Sequence, residues 1–128
     1  MKSLSRILVA CALALPAAAA VAGAFDECNL RGDQAAVTRC LVDAENESQA
    51  ALVKAEGDAG RLARQVDTAT GRPVAAAALA RSMRAFSDYR KAQCEFVRAM
   101  LASAPIAEQG QLGCMIDMTR RRVRDLQN

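Results

Sequence analysis

Four cysteines bound what this chain can become. They stand as Cys28-x11-Cys40 and Cys94-x19-Cys114. A fifth, Cys11, falls in an N-terminal stretch that reads as an export signal. Lys2 and Arg6 precede an apolar run from Ile7 to Ala20, and Ala22-Gly23-Ala24 offers a small-x-small cleavage site. Pro16, the alanine-rich composition and the cleavage motif argue against a membrane anchor. Leu8-Val9-Ala10-Cys11 has the form of a lipobox, but Ile7 to Ala10 is too short for the apolar region of a signal. The expected organisation is a cleaved signal over residues 1–24 and a single domain over 25–128. That domain keeps an even number of cysteines, which in a short exported chain reads as two disulfides.

Four cysteines allow three pairings, and helical geometry separates them. The chain outside the signal is rich in Ala, Arg, Leu, Gln and Glu, all good helix formers. A first helix is predicted from Asp33, whose side chain suits the N-cap. Its apolar or small positions run Val37, Leu41, Ala44, Ser48, Ala51, Ala55, Ala59, Leu62 and Val66. Gly57 and Gly60 weaken it by about 1 kcal/mol each, so a kink or break is expected there. "TATGRP" ends it, with Gly71 at the C-terminus and Pro73 opening the next helix. The second helix is predicted to Ala102, with Leu79, Met83, Phe86, Tyr89 or Arg90, Gln93 and Val97 inward. "SAPIAEQG" reads as the second turn, and a third helix runs to Leu126. The fold expected is all-α: an up-down-up three-helix bundle stapled by two disulfides.

In an antiparallel hairpin, residues equidistant from the turn face each other. With the second turn centred on residue 104, Cys94 and Cys114 are level. Cys40 would lie about 13 Å along the helix from Cys94, beyond the roughly 7 Å that a disulfide spans. The preferred pairs are therefore Cys94–Cys114 and Cys28–Cys40. The second needs the chain to fold back near Gly32, because a continuous helix would hold those cysteines about 18 Å apart.

The sequence excludes much chemistry. It has no His, which removes the commonest general base and metal ligand. The cysteine spacings do not match zinc sites, and no C-x-x-C pair or Gly-rich phosphate loop occurs. No catalytic, cofactor-binding or metal residue is assigned, and an enzyme is not expected. "RRRVR" at 120–124 sits at the end of a helix, where cations complement the dipole, and it does not call for nucleic acid. Charge is polarised: residues 26–58 hold eight acids and three bases, and residues 59–128 hold six acids and twelve bases.

"FSDYRKAQCEF" followed by "CMIDMTRRRVRDL" resembles the LprI-type lysozyme inhibitor family, small secreted helical domains of bacteria. Phe86, Tyr89, Arg90 and Cys94 fit its aromatic-x-x-Tyr-Arg-x-x-x-Cys segment. Cys114, Thr119, Arg122 and Leu126 fit its Cys-x4-Thr-x2-Arg-x3-Leu ending, and Cys28 and Cys40 fit its N-terminal cysteine pair. The chain departs from the pattern with Phe86 in place of Trp, Met83 in place of Gln and Lys91 in place of Asp. The resemblance implies a periplasmic or secreted binding protein whose partner is lysozyme or another peptidoglycan-cleaving enzyme. Lysozymes are generally cationic and work through two carboxyl groups. The acids Asp43, Glu45, Glu47, Glu56 and Asp58 are the candidate partner-facing residues. The alternative is a structural, stress-related or immunity-type envelope protein with a different partner.

Overall fold

The computed structural model describes residues 23–101 and 103–128, so the export-signal reading falls outside the described residues except for Gly23 and Ala24. Four helices follow in order: α1 (Ala24–Asn29), α2 (Gln34–Thr70), α3 (Ala75–Met100) and α4 (Ala104–Gln127). The last three form the expected up-down-up bundle. The short α1 is an addition, and it packs on both α2 and α4. Both disulfides join the expected partners, Cys28–Cys40 and Cys94–Cys114, each at a Cα separation of 5.6 Å.

Local chemistry sets the helix limits. Asp33 caps α2, its Oδ1 accepting the Ala36 N–H at 2.7 Å. Gly71 ends α2 with φ of 65°, a left-handed conformation that glycine adopts without penalty. The Asp67 carboxylate then accepts the N–H groups of Val74, Ala75 and Ala76 at 3.0, 2.7 and 3.0 Å. This bond set replaces an N-cap and starts α3 two residues later than Pro73 suggested. The second turn is shorter than the sequence implied: Pro105 lies in the first turn of α4, where its missing N–H costs nothing, so only 101–103 connect the helices.

The predicted break at Gly57–Gly60 does not occur, and α2 is continuous over 37 residues. Lys54 and Arg61 both reach Asp58 at 2.8 Å, bridging the glycine segment. Such exposed pairs are weak. The remaining support comes from α3, whose Leu79 lies beside Gly60.

The inward stripe of α2 is Val37, Leu41, Ser48, Leu52 and Ala55, and nothing beyond Ala55 is buried. Leu62 and Val66, expected inward, are 62% and 44% exposed. The reason is length. Arg122 of α4 reaches Ser82 of α3, and only five residues of α4 follow it to Gln127. The distal part of the α2–α3 hairpin therefore lacks a third helix over it. The core sits at the other end, where Ala24, Cys28, Val37, Leu41 and Ile116 form one buried cluster flanked by Phe25, Cys40, Ala44 and Leu112.

Two glycines should respond oppositely to substitution. A Cβ on Gly57 would meet nothing within 4 Å, so Gly57→Ala is expected to raise stability by about 1 kcal/mol. A Cβ on Gly113 would lie 3.0 Å from Phe25 Cβ, so Gly113→Ala is expected to lower it by about 1–3 kcal/mol. Urea unfolding of the two variants checks both signs.

Candidate functional site

The signature residues form a clasp across three helices. Arg90 of α3 donates from Nη1 to Gln49 Oε1 of α2 at 2.9 Å and to Thr119 Oγ1 of α4 at 2.6 Å. Thr119 is fully buried, so its hydroxyl needs such a partner. Phe86 lies under both arginines, with Arg90 at 5.7 Å and Arg122 at 5.6 Å from the ring centroid. Arg122 also donates to Ser82 Oγ at 2.8 Å. The Cys94–Cys114 bridge lies one turn further along. Tyr89 is 61% exposed and stands outside the clasp, so of the pair Tyr89/Arg90 it is Arg90 that points inward. Leu126 is half-buried near the end of α4.

At the core end, α1, α2 and α4 enclose an open groove of about 520 Å³ beside the Cys28–Cys40 bridge. Glu27, Asp43 and Glu47 line it with Arg31, Arg39 and Arg120. Arg120 bonds Glu27 at 2.9 Å and so ties α4 to α1 across the groove. Buried Gln109 closes the same end, donating to Gln34 O at 3.2 Å and Thr38 Oγ1 at 2.9 Å. Sequence reasoning missed Gln109 and Asp117, which accepts the Ala24 N–H at 2.9 Å. Neither stands in a motif; only the helix packing makes their roles visible.

A model of the LprI lysozyme inhibitor family matches residues 28–126. The chain belongs to the LprI lysozyme inhibitor family. No curated protein and no solved structure matches it. The matched span runs from Cys28 to Leu126 and so covers both disulfides, the clasp and nearly all of the groove.

The five candidate acids of this LprI-type domain do not share one face. At 100° per residue, Asp43, Glu47 and Asp58 fall within about 60° of one another, while Glu45 and Glu56 point roughly opposite. The surroundings agree. Asp43 and Glu47 line the groove, and Asp58 is engaged by Lys54 and Arg61, whose hydrogen bonds hold its carboxyl below the ordinary carboxylate value. Glu45 and Glu56 lie on the side toward α3. Glu56 borders two inter-helix clefts lined by Met83, and Glu45 is half-buried. The groove thus takes Asp43 and Glu47 and adds Glu27, which was not among the five.

Burial holds the Glu45 carboxyl above its ordinary value of 4.5, opposed in part by the Arg90 charge and the Ser48 hydroxyl. A carboxyl raised in this way binds its proton more tightly folded than unfolded. Its ionisation therefore costs stability, and the cost appears as pH rises from 4.5 through the folded value. Glu45→Gln is expected to stabilise the domain at neutral pH and to give no gain well below pH 4.5. Urea midpoints at the two pH values decide this.

Proposed function

We propose that this LprI-type domain is an exported, non-catalytic protein of the bacterial envelope that inhibits lysozyme by direct binding. The observation that carries the reading is the family match across the whole disulfide frame. The cross-links support export, because disulfides persist in oxidising compartments such as the periplasm. No helix among the described residues is long and apolar enough to cross a membrane.

Within the groove, whose arginines balance its acids in number, the Asp43 and Glu47 edge is the part assigned to a cationic enzyme. Asp43 and Glu47 are exposed, one turn apart on a helix held rigid by the core beneath it. Rim acids of this kind act mainly by speeding encounter with a basic partner. The far hairpin carries the opposite charge, with Arg61, Arg64, Arg72, Arg81 and Arg84 against Asp67. It would repel such a partner, which orients the approach toward α1 and α2.

The test is lysis of bacterial cells followed by turbidity. The oxidised domain is expected to slow lysis by c-type lysozyme at micromolar concentration. The double variant Asp43→Lys/Glu47→Lys is expected to bind roughly tenfold more slowly, with a shallower salt dependence. Unimpeded lysis, together with no heat of binding in calorimetry, would sink the reading.

A further inference from the structure

We infer that the export signal is cut between Ala22 and Gly23, so that the mature chain begins at Gly23 with its α-ammonium group against the Asp117 carboxylate. The inference rests on the export reading above and fixes where processing occurs. The small-residue pattern alone placed the cut after Ala24. The fold points elsewhere, because Ala24 is part of the packed domain. It is 0% exposed and belongs to the core cluster with Cys28, Val37, Leu41 and Ile116. Its N–H donates to Asp117 Oδ1 at 2.9 Å, which joins the first residue of α1 to α4.

Each alternative cut damages this arrangement. Hydrolysis after Ala24 removes the core methyl and the Asp117 bond. It also charges the nitrogen of Phe25, which is packed so closely on α4 that a Cβ on Gly113 would lie 3.4 Å from it. A charge brought into such a contact is costly. Hydrolysis after Gly23 places the charge on fully buried Ala24 and removes the Gly23 carbonyl, which accepts the Glu27 N–H at 3.0 Å. Hydrolysis of the Ala22–Gly23 bond keeps all of these. Water adds its hydroxyl to the Ala22 carbonyl carbon, and the amine released on Gly23 takes up a proton. Ala20-Val21-Ala22 supplies the small residues that a signal peptidase needs one and three positions before the cut.

Gly23 is also suited to be the first residue. A Cβ there would lie 2.7 Å from Asp117 Oδ2, so the site has no room for a side chain. The new ammonium is one bond from that same Cα, and so is carried close to a carboxylate that already accepts the Ala24 N–H of α1. Processing at this bond would add an ammonium–carboxylate attraction to the amide–carboxylate hydrogen bond already present.

The test uses the full-length gene product, expressed in a bacterium with its own signal and recovered from the periplasm. Intact mass and N-terminal sequencing are expected to give Gly-Ala-Phe-Asp-Glu. A start at Phe25, Ala24 or any other residue overturns the inference while leaving export intact. An uncleaved chain beginning at Met1 overturns the export reading and the inference together. In the exported protein, an amine-selective reagent should label the α-amine severalfold faster after Asp117→Asn, with Lys54 and Lys91 as unchanged internal references. Equal labelling of parent and variant would contradict the Asp117 contact.

Discussion

The Cys28–Cys40 bridge is the constraint on which the rest of this molecule depends. A straight helix would hold these residues about 18 Å apart, yet their Cα atoms are 5.6 Å apart. The chain must therefore turn back after Asn29, and α1 lies down on α2 and α4. That single reversal brings Ala24 and Cys28 into the core and creates the groove. Without α1, Val37, Leu41 and Ile116 would lose much of their cover. A chain with 3% aromatic residues has little other volume with which to replace it. A disulfide closing a loop of this size contributes about 3 kcal/mol, a large share of the stability of a small domain.

The second bridge acts with the polar clasp. Cys94–Cys114 sets the register of α3 against α4, and Arg90 spans from that pair to Gln49 on α2. The register brings both Arg90 and Arg122 over the ring of Phe86. The scarce aromatic thus offers one ring to two cations. The signature residues Phe86, Arg90, Thr119 and Arg122 have this structural role in common, and the proposed binding face lies elsewhere, at the groove. Charge separation follows the same division: an acid-bearing, cross-linked end and an arginine-rich hairpin tip.

Much of this was legible in the sequence. The equidistance of Cys94 and Cys114 from one turn gave their pairing, because antiparallel helices fix level residues. Asp33 and Gly71 marked the ends of α2, because capping is local chemistry. Three features were not legible. The six-residue α1 is too short to show a period. The persistence of α2 through Gly57 and Gly60 depends on α3 alongside and on the Asp58 ion pairs, neither of which propensity records. The late start of α3 depends on Asp67, up to nine residues away in sequence, reaching across the turn. The split of the acids between two faces, in contrast, follows from 100° steps and could have been read at once. What needed the structure was the cross-chain meeting of Glu27 with Arg120 and of Ala24 with Asp117.

The groove edge built by the Cys28–Cys40 reversal is the proposed lysozyme-facing surface. The most direct measurement is an NMR titration of the isotopically labelled, oxidised domain with c-type lysozyme, following each backbone amide. The expected result is saturable shifts or broadening centred on Glu27, Asp43 and Glu47, with the hairpin around Gly71 unmoved. Shifts centred on the hairpin, or none at saturating enzyme, would contradict it.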